Sequence, residues 1–393
     1  RSLSAYMEYM QTNPQDTPMK KAYIGLDVHK ASIVISVALA DGTPPQLYGK
    51  APADLDGFER ALRRVLKKYE VGKGDVRLCY EAGPTGFVLA RRLRDLAFEV
   101  IVVAPSLVPV RAGERVKTDR RDANKLAGFL RAGELVPVHI PDASDEVIRD
   151  LCRARTDAVD QQTRCRQQLG AFLLRNGHHY TGLSTWTEAH MRYLREIVLQ
   201  DPVQKLVLED YLQRIDSAVE QVQRIEGHLP LRLPTWNRTP FVAALEGLRG
   251  FQLVAAMTIA SELGDLFRFD HPRKLMAYLG LVPGEYSSGS SRRQGSITKC
   301  GNSHARWILI EAAHHYRLAP KVSKQLSHRQ EGLPRAVKEL SWRAQNRLHK
   351  RYTHLRLRGL HHNKITVAIA RELAAFIWEL ARVVEPSQDQ KAA

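Results

Sequence analysis

Four carboxylates stand where strands end or a helix begins. Asp27 closes Ile24-Gly-Leu-Asp27-Val-His29-Lys30, Glu81 closes Cys79-Tyr-Glu81, and Asp119 and Asp122 open Asp119-Arg-Arg-Asp122-Ala123. Residues three apart share a helix face, so Asp119 and Asp122 point the same way. If the strands carrying Asp27 and Glu81 are neighbours, all four acids converge at one end of a sheet. Clustered carboxylates repel and stay ionised only beside cations. Several carboxylates with oxygen ligands alone suit Mg2+. Two such ions about 4 Å apart activate an attacking group and stabilise a leaving oxygen at a phosphodiester. Taken singly, each acid reads as a cap or a strand-end residue. The joint pattern points to metal-assisted phosphoryl chemistry. His29 reads as local structure rather than as a ligand.

A second chemical segment runs from Gly280 to Asn302. Between Gly284 and Asn302 it holds five serines, four glycines and the basic residues Arg292, Arg293 and Lys299. Glycine-rich backbone approaches phosphate closely, and a helix starting at Asn302-Ser303 offers unpaired N–H groups. A serine hydroxyl here is a nucleophile only if a base or a metal activates it. Spacing alone favours a plain Ser/Gly loop. Upstream, Leu248-Arg-Gly250-Phe251-Gln252 reads as a turn entering a helix, in the manner of a helix-hairpin-helix that holds a DNA backbone.

The elements that position these groups follow from hydrophobic period. Ala22–Asp27 and Ala31–Ala38 alternate as a hairpin, and Gln46–Ala51 adds a third strand. Asp54–Tyr69 has Leu55, Phe58, Leu62 and Val65 on one helical face. Val76–Glu81 and Phe98–Ala104 read as strands, and a helix is expected from an N-cap at Thr85. Asp119–Ala132 is a further helix. The order β-β-β-α-β-α-β-α is that of a ribonuclease-H-like α/β domain over residues 19–143. Residues 1–18 form a tail with no apolar core segment, so no secretory leader is expected. Residues 144–235 lose strand character. Leu208, Leu212, Ile215, Val219 and Val222 alternate four and three apart, as in a short coiled-coil seam. This helical arm either self-associates or packs within its own chain. A helix-rich domain is expected over residues 236–385, with a tail at 386–393, so the fold class is α/β plus all-α.

Composition narrows the partners. The chain has 393 residues, 59 Lys and Arg against 42 Asp and Glu, and a net charge of +17. A hydrophobic share of 44% excludes a disordered chain. The longest apolar runs are too short for a membrane span. Four cysteines without C-x-x-C spacing argue against zinc and for a reducing cytoplasm. From Arg317 to Lys364 there are 13 Lys or Arg and two acids. Arg343, Arg347, Lys350 and Arg351 repeat as a helical stripe, read as one unmixed cationic face that grips phosphates. A smaller basic cluster, including Arg120, Arg121 and Lys125, surrounds Asp119 and Asp122.

Taken in order, Gly25-Leu-Asp27-Val-His29-Lys30, Tyr80-Glu81-Ala-Gly83, Lys117-Thr-Asp119-Arg-Arg-Asp122, and Leu281-Val-Pro283 followed by Ser287-Ser288-Gly289 and Gly295-Ser-Ile-Thr-Lys299-Cys-Gly301-Asn302 resemble the insertion-sequence transposases of the IS110 family, with their Piv-like invertase relatives. The resemblance covers about residues 20 to 385. It implies a RuvC-like nuclease domain whose Asp27, Glu81, Asp119 and Asp122 bind Mg2+. It also implies a second domain with a nucleophilic serine, carried over to Ser288 with Ser287 as the alternative. The implied partners are donor and target double-stranded DNA, a structured bridge RNA that selects both, and further copies of the chain, as a dimer of dimers. The alternatives to transposition are a RuvC-type junction endonuclease and a site-specific DNA invertase. One position departs from the family's hairpin: Gly250-Phe251-Gln252 has one glycine where two are common.

Overall fold

The computed structural model describes residues 20–109, 118–288 and 291–384, with backbone alone for 286–288 and 291–293. Two compact units emerge. One comprises the chain up to Pro141 together with Gly284–Ser296, and the other comprises Asp142–Pro283 with Ile297 onwards.

The first unit holds a five-stranded mixed sheet. Its strands are β1 (Ala22–Val28), β2 (Ser32–Leu39), β3 (Gln46–Pro52), β4 (Val76–Glu81) and β5 (Glu99–Val103), in the order β3-β2-β1-β4-β5. The first three are antiparallel, whereas β4 and β5 run parallel to β1. Among the described residues, three helices accompany them: α1 (Leu55–Lys68), α2 (Val88–Asp95) and α3 (Asp119–Ala132). Strand period two divides the faces. Ala22, Ile24 and Leu26 of β1 join Leu78 and Tyr80 of β4 in a core shared with Phe58 and Leu62 of α1 and with Leu89 and Leu93 of α2. Tyr23 and Cys79, of opposite parity, pack with Leu126, Ala127 and Leu130 of α3.

Gly25 makes that second face possible. A Cβ there would stand 2.3 Å from the Ala123 carbonyl oxygen and 2.4 Å from the Ala127 nitrogen. Only a glycine lets the α3 backbone lie this close to β1. The helix expected from Thr85 begins later, at Val88, with no side-chain cap. Gly86 takes a left-handed φ of +64°, which keeps Thr85 in a turn rather than at a helix start.

The second unit is helical. Its long helices α4 (Ala143–Arg175) and α6 (Pro202–Arg232) flank the short α5 (Glu188–Glu196). The long pair runs antiparallel: Arg155 bonds Glu226, Arg214 bonds Gln168 and Gln204 bonds Asn176. Leu208 and Ile215 of the heptad-like seam are buried against Cys165, Leu169 and Phe172. The seam therefore closes on α4 of the same chain, the second of the two uses that its spacing allows. Beyond it come α7 (Thr239–Glu246), α8 (Leu253–Leu263), α9 (Pro272–Tyr278), α10 (Ser303–His314), α11 (Lys324–Arg329), α12 (Arg335–Leu357) and α13 (His362–Val384). Helix α13 supplies a buried stripe of Ile365, Ile369, Leu373, Ile377 and Leu380 to the main core.

The serine segment is not a plain loop. It pairs as β6 (Pro283–Ser288) with β7 (Ser291–Ile297), a two-stranded hairpin.

Candidate active site

Strand register and helix capping bring the acids to one end of the sheet. Leu26 lies opposite Tyr80 in the parallel β1–β4 pair, so Asp27 and Glu81 follow at the ends of adjacent strands. They share the parity of Tyr23 and Cys79, which places both on the α3 side. The Thr118 hydroxyl caps α3 by accepting the Arg121 N–H at 3.4 Å. That puts Asp119 and Asp122 in the first turn, where the helix's positive end favours carboxylates.

The closest contacts gather around Asp27. Its Oδ2 lies 3.0 Å from His29 Nε2, and the same nitrogen is 3.7 Å from Asp119 Oδ2. Lys50 Nζ approaches Asp119 Oδ2 at 3.8 Å, and Lys125 Nζ approaches Asp122 Oδ1 at 3.9 Å. Ligand atoms of Asp27, His29 and Asp119 all fall within 4.8 Å of one another. Glu81 and Asp122 share the face but are not members of that tight group. Burial pushes the Asp27 carboxyl above the ordinary carboxylate range. His29 draws it back down, while the charges of Asp119 and Asp122 raise it further. Burial also pushes the Cys79 thiol up, with Glu81 adding to the rise.

This arrangement is a candidate acidic metal site. Two carboxylates and an imidazole converge, and a third carboxylate's charge is felt at Asp27, so a divalent cation would relieve the repulsion. The donor set, mainly carboxylate, fits a hard cation. Sequence reasoning set His29 aside, yet it stands two residues past Asp27, just beyond the end of β1, and its Nε2 reaches both Asp27 and Asp119. Lys50, on β3, was missed because it is far from the acids in sequence and has no motif of its own.

The basic residues fare differently. Arg120 and Arg121 are exposed on the first turn of α3. Arg111, Arg115 and Lys117, further basic residues of the cluster around Asp119 and Asp122, lie outside the described residues. Ser287 and Ser288 end β6, and Arg292 and Arg293 lie in β7; their side chains are outside the described residues. Lys299 is exposed at a turn with a left-handed φ of +56°. Asn302 caps α10 by accepting the Ala305 N–H at 2.9 Å, and it donates to Glu262 Oε2 at 2.7 Å. Buried Glu262 also accepts from Nε and Nη2 of Arg153, at 2.7 and 2.9 Å. The unmixed cationic stripe on α12 requires correction. Arg343 pairs with Glu379, and Arg347 and Arg351 both pair with Glu372, at 3.1 and 3.3 Å. These glutamates lie on α13, beyond the segment whose charge was counted.

Comparison with known proteins gives the family. The model described as "Transposase", the DEDD type of the IS110 group, matches residues 24–176. The model "Transposase IS116/IS110/IS902 family" matches residues 242–327. The protein y4qE of Sinorhizobium fredii is 42% identical over 364 residues, covering 92% of this chain and 89% of that protein. The transposase for insertion sequence element IS1533 of Leptospira borgpetersenii is 26% identical over 86% of this chain and 97% of its own length. A mixed sheet with acids at the end of its parallel strands, joined to a helical region, thus accompanies transposase signatures along most of the sequence. The chain belongs to the IS110 family of transposases. It is an enzyme that acts on DNA. Among the described residues, no helix is long and apolar enough to cross a membrane.

Proposed function

We propose that the protein is an RNA-guided DNA recombinase that joins donor to target DNA through a serine-linked intermediate. The observation that carries this reading is the Asp27–His29–Asp119 cluster at the end of β1 in a chain of this family. The strand order β3-β2-β1-β4-β5 supports a RuvC-like fold for the first unit. Asp27, Glu81, Asp119 and Asp122 would hold Mg2+. When bound, the cation supplies Lewis-acid polarisation of the scissile phosphate and lowers the pKa of an attacking hydroxyl.

The chain's own residues do the rest. Arg120, Arg121 and Lys50 attract and orient the phosphate. Ser288 Oγ attacks phosphorus; a P–Oγ bond forms as the bond to one deoxyribose oxygen breaks, and the serine proton ends on that oxygen. A hydroxyl of the partner strand then attacks the phosphoserine, its proton returns to Oγ, and the phosphodiester is remade with its bond energy conserved. Arg292, Arg293 and Lys299 flank the serine with positive charge. A bridge RNA chooses both DNA sites, and the working form is a homo-oligomer, a dimer of dimers, in which a serine of one copy serves the acids of another.

Recombination between a supercoiled donor and a target, supplied with the element's RNA and Mg2+, tests the acidic half. Asp27→Ala is expected to abolish product while RNA binding persists. Product formed at the parental rate would overturn the assignment.

A further inference from the structure

A second site lies in the helical unit, where the chemistry above does not use it. A cavity of about 520 Å³ opens between the turn preceding α8, the exposed side of α10 and the segment leading into α11. That volume falls within the roughly 300–1,000 Å³ of small-ligand pockets. Its lining holds Arg155, Arg249, Lys321 and Arg329 against one acid, Glu226, which Arg155 already binds. Arg249 is fixed by three backbone carbonyls, those of Leu318, Ala319 and Lys321, at 3.0 to 3.3 Å. Those carbonyls orient the guanidinium without neutralising it. Among the described residues, neither Arg249 nor Lys321 makes an ion pair.

Trp307 gives the cavity its second character. Its side chain sits on α10, and the residue is 53% exposed. Among the described residues, its ring makes no aromatic or cation contact. A large indole left half in water beside fixed positive charge is an unfilled stacking surface. Gly250 also lines the cavity. With a φ of +92°, its Cα lies so near α10 that a Cβ would be 2.8 Å from the Ala312 carbonyl oxygen. Gln252, where the family's second glycine is absent, is extended at φ −121°, a conformation open to any residue. The departure therefore leaves the turn intact and adds an amide to the cavity lining.

A flat π surface, an excess of fixed cations and room for one small ligand match the parts of a nucleotide. We propose that this cavity receives a single unpaired nucleotide, its base stacked on Trp307 and its phosphate held by Arg249 and Lys321. Paired DNA cannot enter, because its bases are stacked inside the duplex. The inference rests on the reading of this chain as a nucleic-acid enzyme and adds an unpaired base to its substrates or guide.

The test uses the full chain and three fluorescent probes of one sequence: a 10-mer DNA strand, a 10-mer RNA strand and the blunt duplex. Trp307→Ala is expected to weaken binding of a single strand about tenfold, as stacked aromatics do when truncated, with duplex binding changed by less than about twofold. Lys321→Ala is expected to weaken the same strand and to flatten its salt dependence. Whichever of the DNA and RNA strands shows the larger loss identifies the source of the nucleotide. Trp307 is half exposed, so unchanged thermal melting of the variant is expected. Intrinsic fluorescence gives a second readout: strand addition quenches the parent protein, and Trp307→Phe removes that quench. Equal single-strand affinity and equal quench in the Trp307 variants would overturn the proposal while leaving duplex binding, and hence the enzyme reading, standing. A parent chain that binds none of the three probes would overturn both.

Discussion

At the residue scale, the acids carry opposite demands. Asp27 is half-buried beside Asp119 and Asp122, so its charged form is disfavoured in the folded chain. An acid whose folded pKa is raised adds nothing unfavourable while protonated. Above its unfolded value of about 3.8, ionisation of the unfolded chain begins to favour unfolding, and the penalty is complete above the folded pKa. Asp27→Asn should therefore raise the melting temperature of the metal-free protein at pH 7 by roughly 2 °C, and the gain should fade as pH drops below 4. The same substitution should abolish strand transfer. His29 has a separate expectation. If its imidazole completes the donor set, His29→Gln should weaken Mn2+ binding, read by titration calorimetry, about tenfold. Parental affinity would return His29 to a merely local role. The acids were legible because their strand-end and helix-start positions recur together. His29 and Lys50 were not, since one was discounted singly and the other arrives from a strand distant in sequence.

At the element scale, the placement of α3 decides whether the acids meet. The two nearest atoms facing Gly25 belong to the α3 backbone and cannot rotate away. Gly25→Ala should cost about 3 kcal/mol in denaturant unfolding and remove activity without touching an acid. An unchanged midpoint would mean that α3 does not dock this closely on β1. The buried Glu262 makes a comparable tie in the second unit, joining α4 through Arg153 to the start of α10 through Asn302. Glu262→Ala leaves a partly exposed Arg153 without its carboxylate and the Asn302 amide with only its longer bond to the carbonyl of residue 262, at 3.4 Å, and about 2–3 kcal/mol of stability should be lost. Period two made the hairpin and the parallel strands readable, and the cap at Thr118 marked α3. The pairing of β6 with β7 was hidden because Ser and Gly have low strand propensity. The late start of α2 was hidden because Gly86 adopts a backbone conformation that composition does not announce.

At the scale of the molecule, the positive charge of residues 317–364 is less available than a count within that segment suggests. Three arginines of the α12 stripe meet glutamates on α13, some 21 to 36 residues further along. A linear count cannot see such partners, because the pairing is set by how two helices pack. Exposed pairs of this kind are worth about 0–1 kcal/mol, so a phosphate can displace them. Glu372→Gln should accordingly free Arg347 and Arg351, tighten nonspecific DNA binding severalfold and steepen its salt dependence by about one to two contacts. A salt slope identical to the parent would show that these arginines do not reach DNA.

The central claim is that the acids and Ser288 act together through a covalent link. It is tested most directly by denaturing the protein during reaction with a labelled supercoiled donor, guide RNA and Mg2+, and then looking for DNA attached to the chain. The account predicts a phosphoserine adduct at Ser288 that is absent from Ser288→Ala and from Asp27→Ala. Full recombination by Ser288→Ala, or joined product with no protein–DNA adduct at any time, would contradict it.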